Sequence, residues 1–447
     1  MFDKILVADR GEIALRVIRT CRDLGIATVA VYSEADAQSL HVMLADEDVC
    51  IGPPPGERSY RHFANIISAA ELTNADAIHP GYGPLAENAE FAALCQSCGI
   101  KFIGPTVDAF ERMGDKARAR RSMQEAGVPV IPGSDGEVES LDHAVSLSHE
   151  IGFPLRLKAS LGGGGRGMRV VHSEDELAEA WQLARLEARS AFSRDALYME
   201  RSLESSRHIE MQVLGDEHGH VVHLGERECS IQRRHQKLLE ESPSPVVDED
   251  MRRRLGEAAV SGAASIGYCS AGTMEFLVDA DGGFYFLEMN KRIQVEHPVS
   301  ETVSGLDLIS EQIRIASGQE LGYDQNSVEL SGHAIECRIN AEDPERNFMP
   351  SAGTISALHL PGGPGVRIDS HIYQGYQVPP YYDSLLAKVI AFGRDRTEAI
   401  VRMRRVLAEI TIEGVATTVP FHRNLLEEPD FVEGRFDTDY VSRKGLG

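Results

Sequence analysis

Several features that mark particular protein classes are missing from this chain of 447 residues. No apolar run approaches the roughly 20 residues that a membrane-spanning helix needs, and the first residues are typical of a strand rather than a signal peptide. We therefore expect a cytoplasmic protein without membrane contact. Basic charge is scarce: 45 Lys and Arg stand against 69 Asp and Glu, and the net charge of −24 argues against general nucleic-acid binding. Any site for an anionic substrate must be locally basic.

Two phosphate-binding signatures are also absent. The first strand-to-helix turn holds a single glycine, so the dinucleotide fingerprint is missing, and no glycine loop ends in the Gly-Lys-Ser/Thr of a Walker A motif. Cysteine is sparse, with seven scattered residues. Cys95 and Cys98 have CxxC spacing but no second pair or His cluster, which favours buried or idle thiols over zinc or redox chemistry.

The composition that remains is ordinary for a soluble α/β enzyme, with 42% hydrophobic and 26% charged residues and one Trp. The length predicts about two to four domains. Strands and helices alternate over the first hundred residues, which predicts βαβ units, a parallel sheet and ligands near His79–Gly83 at its carboxyl edge. The predicted strands are Lys4–Ala8, Thr28–Ser33, Ala75–His79 and Lys101–Ile103, and the helices are Gly11–Leu24 and Ala86–Ser97.

A second region follows a predicted linker at Gly133–Gly136. It contains two strands on either side of a glycine loop, then a helix, a strand pair and another helix. The remainder begins with a predicted strand and passes through turn-rich sequence to a final helix. These elements are Leu155–Ser160, Met168–His172, Glu174–Arg189, Ile209–Leu214, Val221–Gly225, Glu249–Ser265, Gly332–Ile339 and Thr397–Glu409.

The most informative segment is a predicted β-hairpin. Thr273–Val278 and the strand from Phe286 flank Asp279-Ala-Asp-Gly-Gly283, whose residues are strong turn formers. A plausible register places Glu275 opposite Glu288. With the amide of Asn290, these carboxylates supply the hard oxygen ligands that suit Mg²⁺ with phosphate. A solvated strand end with ordinary charge pairs is the alternative.

Two further segments suit anions. The loop Gly162–Gly167 exposes backbone amides for phosphate and lies between two strands, where such loops more often cover a nucleotide as a lid. Lys158 precedes it and is placed to pair with phosphate oxygens. A mobile surface loop is the alternative. Arg233-Arg-His-Gln-Lys237 is a basic cluster in an acidic chain, which alone indicates a solvated charge run but beside a metal hairpin favours a second anion site.

The chain resembles the biotin carboxylase family of ATP-grasp enzymes over essentially its whole length. The motifs that carry the resemblance occur in family order and at near-family spacing. They are Gly81-Tyr-Gly83, Met113-Gly-Asp-Lys116, Lys158 with Gly162-Gly-Gly-Gly-Arg-Gly-Met168, Gln232-Arg-Arg-His-Gln-Lys237, Glu288-Met-Asn290 with Arg292-Ile-Gln-Val-Glu-His-Pro298, and Glu336-Cys-Arg-Ile-Asn-Ala-Glu-Asp343. The last two are the most specific to biotin carboxylases.

The resemblance implies an α/β fold, α+β in part: an ATP-grasp fold with a Rossmann-like N-terminal domain at 1–114, an ATP-grasp domain at 115–329 with a glycine-loop lid at about 133–203, and a C-terminal biotin carboxylase domain at 330–447. It implies that ATP phosphorylates bicarbonate to carboxyphosphate, which releases CO₂ to carboxylate N1 of biotin. This is the first half-reaction of an acetyl-CoA or other acyl-CoA carboxylase.

Site residues follow from the matching motifs. The resemblance implies that Glu296 is the catalytic base and that Arg338 stabilises the negative charge that develops on biotin. Bicarbonate is implied to contact Lys237, Arg292, Gln294 and Val295, with Tyr82 as a further substrate contact. Glu275, Glu288 and Asn290 are the implied metal ligands. The implied nucleotide contacts are Lys116, Lys158, Gly164, Gly165, Met168, Glu200, Leu203, His208, Gln232, His235, Glu275 and Glu288.

The implied cofactors are ATP and Mg²⁺, with Mn²⁺ as an alternative, and biotin is the substrate. No Ala-Met-Lys-Met biotinylation motif occurs, so biotin is expected on a separate biotin carboxyl carrier protein. A carboxyltransferase subunit completes the implied complex and selects the acyl acceptor. The resemblance also implies a homodimer.

Three positions depart from the family pattern. Arg156 stands on the Lys158 face of its strand, where the family usually has an apolar residue facing adenine. Pro84 replaces the usual Phe, and Lys291 replaces the usual Thr and is expected to add positive charge beside Arg292. Two alternatives stay open: an ATP-grasp ligase that activates another carboxylate or an amine, and a non-catalytic ATP-binding homologue, for which Arg156 and Pro84 are the only support. ADP release with bicarbonate, with and without biotin, distinguishes the three hypotheses.

Overall fold

A computed structural model describes residues 1–114, 116–160, 168–192 and 194–446, without the side chains of residues 116, 117 and 192. The predicted loop Gly162–Gly167, with Gly164 and Gly165, and the side chain of Lys116 lie outside the described residues. The described elements confirm the mixed α/β class. Within these ranges, no helix combines the length and apolar character needed to cross a membrane.

The N-terminal region forms a five-stranded parallel sheet with helices between the strands, as the alternating pattern predicts. The strand order is β3-β2-β1-β4-β5, which matches the Rossmann order 3-2-1-4-5-6 without its sixth strand. The strands are β1 Lys4–Val7, β2 Ala27–Ser33, β3 Glu47–Gly52, β4 Ala77–His79 and β5 Lys101–Phe102. The helices are α1 Gly11–Asp23, α2 Leu40–Leu44, α3 Phe63–Thr73, α4 Ala89–Ser97 and α5 Val107–Arg112.

The strand order reverses between β1 and β4, so the segments that follow these strands meet at the carboxyl edge. There the buried carboxylate of Asp9 accepts backbone hydrogen bonds from Tyr82 at 3.1 Å and Gly83 at 2.9 Å. Gly81 has a φ of 58° and a Cβ there would overlap the Asp9 carboxylate, so the close approach requires glycine. The predicted ligand edge therefore holds Tyr82 in a fixed loop.

Two sequence-based assignments in the first half of the chain differ from the structure. Helix α4 begins at Ala89 rather than Ala86, because the side chain of Asn88 accepts the Phe91 amide at 2.7 Å and caps the helix there. The segment Gly133–Gly136 is not a free linker: Ser134 donates its amide to the Met199 carbonyl at 2.8 Å and is buried.

A small antiparallel sheet follows, with the order β7-β6-β8. Its strands are β6 Leu155–Ala159, β7 Met168–Val171 and β8 Leu197–Arg201, and the nearby helices are α6 Lys116–Glu125, α7 Leu141–Ile151 and α8 Glu174–Phe192. Alternate side chains of β6, such as Leu155 and Leu157, pack against α8 in a separate core around Trp181. The opposite face of β6 presents Arg156 and Lys158.

The remaining long strands form one sheet of eight, in the order β13-β12-β9-β10-β11-β14-β21-β19. They are β9 Arg207–Gly215, β10 Val221–Arg233, β11 Gln236–Ser242, β12 Ser270–Val278, β13 Phe284–Asn290, β14 His333–Asn340, β19 Val366–Ser370 and β21 Leu385–Gly393. The short strands are β15 Glu342–Asp343, β16 Met349–Pro350, β17 Gly353–Thr354, β18 Ala357–His359, β20 Gln377–Val378 and β22 Thr411–Glu413. The helices are α9 Glu249–Ser265, α10 His297–Ser304, α11 Leu308–Ala316, α12 Arg396–Glu409, α13 Val419–Glu427, α14 Pro429–Val432 and α15 Tyr440–Arg443.

This sheet is continuous across residue 330, because β11 and β14 pair from Leu239 opposite Cys337 to Ser242 opposite Ala334. The division into 1–114, 115–329 and 330–447 stays a prediction. The predicted hairpin is confirmed as β12 and β13, and its register does place Glu275 opposite Glu288. Strand β10 runs on to Arg233, well beyond the predicted Val221–Gly225.

Candidate active site

The site is built on a strand that is buried yet polar. His208, Glu210 and Gln212 alternate along β9, so their side chains share one face, and all three are buried. Glu275 of the adjacent β12 lies directly opposite Glu210. Buried polar groups must find partners. The partners here come from neighbouring strands and from the irregular segment before α10.

Lys237 lies at the centre of three buried carboxylates. Its Nζ is 2.7 Å from Glu296 Oε1 and 3.2 Å from Glu275 Oε1, and it also forms an ion pair with Glu210. The lysine comes from β11, and Glu296 comes from the segment that leads into α10. Although burial acts to lower it, the three carboxylates raise the pKa of Lys237 well above its usual range. A fixed positive charge therefore occupies the centre of the site.

A second cation, Arg227, is fully buried and holds the side chains that surround Lys237. Its guanidinium donates to Glu210 Oε2 at 3.2 Å, Thr273 Oγ1 at 2.8 Å and Gln294 Oε1 at 2.6 Å. Gln294 in turn donates from Nε2 to Glu275 Oε1 at 3.1 Å. Because its oxygen and nitrogen both have partners, the Gln294 amide has one orientation.

Glu296 is held between two cations. Its Oε2 accepts a hydrogen bond from Arg338 Nη2 at 2.8 Å, while its Oε1 contacts Lys237. Arg338 also forms an ion pair with the buried Glu240. Although burial acts to raise it, Lys237, Arg338 and Arg227 hold the pKa of the Glu296 carboxyl well below its usual range. Glu296 is thus an ionised carboxylate able to accept a proton.

The pKa values of the other two carboxyl groups, Glu275 and Glu210, shift in opposite directions. Burial acts to raise the pKa of Glu275, but Lys237 and His208 hold it well below its usual range. Burial raises the pKa of Glu210 to about 7, with Glu296 and Glu275 acting in the same direction against Lys237 and Arg227. Similar carboxyl groups in one site therefore have separated pKa values, a pattern common in active sites.

The predicted metal ligands meet at the β12–β13 hairpin. Asn290 donates from Nδ2 to Glu275 Oε1 at 2.6 Å, and Glu275 Oε2 is 3.0 Å from His208 Nε2. Glu288 is exposed at its register position opposite Glu275. Ligand atoms of His208, Glu210 and Glu275 lie within 4.8 Å of one another. This oxygen-rich donor set, open to solvent at Glu288, fits a divalent cation that also contacts phosphate.

The predicted nucleotide contacts divide between two sheets. Lys158 of β6 forms an ion pair with the buried Glu200 of β8, and Met168 pairs with Lys158 in register. Leu203 follows β8 and is half-buried. Arg156 lies opposite Glu200, and its Nη2 is 3.4 Å from Ser202 Oγ. His208 belongs to the eight-stranded sheet.

The basic cluster at 233–237 does not act as one unit. Only Lys237 enters the site. Arg233 donates to Asn347 and lies over the Phe348 ring at 4.6 Å, while His235 is exposed at the turn with a φ of 64°. Gln232 is buried opposite Lys237. The prediction that the whole cluster forms an anion cradle is therefore wrong for Arg233, because the β10–β11 turn directs it to the C-terminal region.

Arg292 and Lys291 point in different directions. Arg292 is half-buried, donates to the Ile293 carbonyl at 3.1 Å and lies 3.7 Å from Glu87. Lys291 turns away from it: its Nζ is 3.2 Å from the Met113 carbonyl and 5.5 Å from the centre of the Phe110 ring. The expectation that Lys291 adds positive charge beside Arg292 is thus wrong, because its side chain packs beneath α5.

Tyr82 and Val295 each contact a buried charged residue. Tyr82 donates its hydroxyl to the buried Glu12, and the Val295 carbonyl accepts from Lys388 at 2.9 Å. Residues that the sequence reasoning missed are Glu210, Arg227, Glu12 and Lys388. Only Glu210 carried a signal, because it continues the alternating polar pattern of His208 and Gln212 on a strand of high β-propensity.

Comparison with known proteins agrees with this architecture. Three family models match in succession: the biotin carboxylase N-terminal domain over residues 1–110, the ATP-binding domain of the carbamoyl-phosphate synthase L chain over 115–323, and the biotin carboxylase C-terminal domain over 336–443. The chain is 56% identical to Biotin carboxylase 1 of Bacillus subtilis over 442 residues, which covers 99% of this chain and 98% of the relative.

It is also 56% identical to a biotin carboxylase of Nostoc over 440 residues, covering 98% of each chain. Among solved structures, the biotin carboxylase of Campylobacter jejuni in a β,γ-ATP complex has a TM-score of 0.95 at 50% identity and covers 99% of each chain. A biotin carboxylase domain dimer of the Hydrogenobacter thermophilus 2-oxoglutarate carboxylase, with MgADP, ADP and bicarbonate, has a TM-score of 0.94 at 49% identity, covering 100% of this chain and 98% of that one. The chain belongs to the biotin carboxylase family.

Proposed function

We propose that this protein catalyses the ATP-dependent carboxylation of biotin with bicarbonate, the first half-reaction of a biotin-dependent carboxylase. It is an ATP-grasp ligase that forms a C–N bond. The observation that carries this function is the Glu296 carboxylate, which is held ionised between Lys237 and Arg338. A base placed between two cations suits the deprotonation of a small anion, because the cations also orient that anion.

We propose the following order of events. Glu296 accepts the bicarbonate proton while Lys237, Arg292, Gln294 and the Val295 amide orient the anion. A bicarbonate oxygen then bonds to the γ-phosphorus of ATP, ADP leaves, and carboxyphosphate is formed. The bond between its carbon and the bridging phosphate oxygen breaks to give CO₂ and phosphate; this phosphate takes the proton from N1 of biotin, and N1 then bonds to the carbon of CO₂.

We assign Arg338 to the last step, the carboxylation of biotin. Its guanidinium reaches Glu296 from the β14 side of the sheet, opposite the metal hairpin. A pre-oriented guanidinium in a buried site stabilises negative charge strongly as it develops, and the charge here develops on the biotin ring. We place Tyr82 on the outer side of the same substrate site.

For the nucleotide and metal, we propose Glu275, Glu288 and Asn290 as ligands of Mg²⁺, which when bound screens phosphate charge. Phosphoryl transfer depends mainly on positioning and electrostatic stabilisation. We assign two groups of residues to the nucleotide. The first lies on or next to the three-stranded sheet and comprises Lys158, Met168, Glu200 and Leu203. The second comprises His208, Gln232 and His235, together with Lys116, Gly164 and Gly165.

The partners follow from the proposed chemistry. Biotin is delivered on a biotin carboxyl carrier protein, and a carboxyltransferase subunit receives the carboxyl group. A homodimer is supported by the dimeric Hydrogenobacter thermophilus domain. A cytoplasmic location stays a prediction of the sequence.

The test is ADP release by the purified chain with MgATP and bicarbonate, with and without free biotin. We expect bicarbonate-dependent release that biotin accelerates. ADP release that requires a different carboxylate or amine indicates another ATP-grasp ligase, and nucleotide binding without turnover indicates a non-catalytic homologue. Either result overturns the proposal.

A further inference from the structure

Lys388 is a buried lysine to which no catalytic role has been assigned above. It lies in the middle of β21, its side chain is fully buried, and it points towards the segment before α10. Its Nζ is 2.9 Å from the Val295 carbonyl oxygen and 3.0 Å from Glu12 Oε1. A buried ammonium carries a large desolvation cost, so its two contacts must be good ones.

Glu12 joins this lysine to the Tyr82 loop. It lies in the first turn of α1 and is buried, and its Oε1 accepts both Lys388 and the Tyr82 hydroxyl. Lys388 Nζ also lies 6.0 Å from the centre of the Tyr82 ring. Asp9 fixes the other end of that loop through the amides of Tyr82 and Gly83. One buried ion pair thus contacts segments from the N-terminal sheet, the anion site and the C-terminal region.

The contact between Lys388 and the Val295 carbonyl fixes a stretch of backbone that has few other constraints. Residues 291–296 lie between β13 and α10 and form no helix or strand, so no ladder of backbone hydrogen bonds fixes them. Irregular buried backbone depends on side-chain partners. The Val295 carbonyl belongs to the peptide unit that leads directly into Glu296. Lys388 therefore orients the backbone from which the catalytic base projects.

We propose that Lys388 and Glu12 form a positioning pair that fixes the Val295–Glu296 peptide and couples it to the Tyr82 loop, so that the bicarbonate and biotin positions are set together. The pair touches no substrate and acts through Val295, Glu296 and Tyr82. This inference rests on the proposed function, because it assigns bicarbonate and biotin to these positions. A displacement of the base by about 1 Å or less lowers the reaction rate strongly.

The test is a split of kinetic constants in Lys388→Met, measured as ADP release with MgATP, bicarbonate and free biotin. We expect the KM for bicarbonate to rise about ten-fold or more and kcat to fall, while the KM for ATP stays within about two-fold. Lys388 and the nucleotide lysine Lys158 lie in different sheets. Equal changes in both KM values, or no change in the bicarbonate KM, overturn the proposal.

A matched control separates positioning from a general loss of stability. Arg396→Met also removes a cation from a buried carboxylate. That carboxylate is Glu241, whose Oε2 lies 2.7 Å from Arg396 Nε, and it takes no part in the anion site. We expect this variant to melt at a lower temperature with an unchanged bicarbonate KM. If Arg396→Met raises that KM as much as Lys388→Met does, the effect is structural and the proposal fails.

The Glu12→Gln variant keeps the test decisive if Lys388→Met does not fold. Its amide oxygen still accepts from Tyr82, but the charge opposite Lys388 is lost, so we expect a smaller rise in the bicarbonate KM of about three-fold. In the double variant the two effects should be clearly less than multiplicative, since the residues act as one unit. Independent, multiplicative effects contradict the pairing. If the wild-type protein shows no bicarbonate-dependent ADP release, the proposed function fails instead, before any variant is compared.

Discussion

At the scale of single residues, charge in this site is set by neighbours more than by residue type. Glu296, Glu275 and Glu210 surround the same lysine, yet Glu296 and Glu275 stay ionised while burial raises the pKa of Glu210 to about 7. Glu296 has Lys237 and Arg338 on opposite oxygens. Glu210 also contacts two cations, Lys237 and Arg227, but burial together with the charges of Glu296 and Glu275 outweighs them. The chemistry of each carboxyl group is therefore a property of its contacts.

The first residue-scale prediction concerns Glu296. We expect Glu296→Ala to reduce biotin carboxylation by about 10²-fold or more, the usual contribution of a positioned base. ATP binding should change little, because Glu275 and His208 keep their mutual contact. ADP release and calorimetric ATP titration measure the two effects. Near-normal carboxylation in this variant contradicts the assignment of the base.

A second prediction concerns Glu336, whose two carboxyl oxygens are buried without a hydrogen-bond partner in the described part of the chain. Burial, with Glu240 and Glu296, raises its pKa well above the usual range, against Lys388 and Arg338. The folded protein thus keeps this proton to a higher pH than the unfolded chain does. The stability it contributes is complete below about pH 4.3 and is lost as pH rises through the folded pKa.

Glu336→Gln has no proton to lose at this position, so it should not lose stability as the pH rises. The difference between its melting temperature and that of the wild type should therefore increase from pH 6 to pH 9. Glu241 on the neighbouring strand is the matched control with the opposite sign. Burial acts to raise its pKa, but Arg396 and His333 lower it to about 2, so its contribution is present above about pH 4.3 and is lost towards pH 2. Glu241→Gln should lower the melting temperature at neutral pH. A Glu336→Gln difference that is constant with pH contradicts the buried proton.

At the scale of elements, the sequence predicted what local patterns specify. The turn Asp279–Gly283 and flanking apolar residues gave the β12–β13 hairpin with Glu275 opposite Glu288. Helix α9 matched its prediction of Glu249–Ser265. Both depend on contacts close in sequence. The same is true of the alternation that predicted the parallel sheet.

The remaining features depend on distant contacts. The end of β10 was missed because its charged residues look solvated until Arg227 is seen to bind Glu210 and Gln294. Lys388 was missed because its partners, Glu12 and Val295, lie 376 and 93 residues away along the chain. The family resemblance supplied residue roles without showing which groups support them.

An element-scale prediction concerns β6, where Arg156 shares a face with Lys158. We expect Arg156→Ile to lower the KM for ATP about three-fold with kcat little changed, because a guanidinium costs affinity in a pocket for an apolar base. Arg169→Ile is the control: Arg169 pairs with Leu157 on the opposite face and contacts Glu187. An ATP KM that is equal in wild type and Arg156→Ile removes this residue from the pocket.

At the scale of the whole molecule, the eight-stranded sheet unites the second and third predicted domains. The core around it combines Ile231 and Leu239 with Ile335 and Cys337, on either side of residue 330. Removing either part exposes both this core and a strand edge. Cooperative folding of the two regions is the expected consequence.

We therefore predict that residues 330–447 do not fold when produced alone. Their strand β14 loses β11, one of its two neighbours in the sheet. Residues 1–114 are the control, because all five strands of the N-terminal sheet lie within them. Circular dichroism and amide NMR dispersion of both fragments provide the measurement. A well-dispersed spectrum from 330–447 contradicts the prediction.

The continuous sheet also determines where the chain tolerates changes of length. From β12 with Glu275 to β14 with Arg338 there are four strand-to-strand steps, roughly 19 Å at about 4.8 Å each, and Lys237 and Glu296 bridge this span with their side chains. Loops that join the strands can lengthen without altering that span. One residue inserted within β9, β10 or β11 moves every later side chain of that strand to the opposite face. Natural variation in length should therefore concentrate in the loops, and the interiors of these strands should keep a constant number of residues.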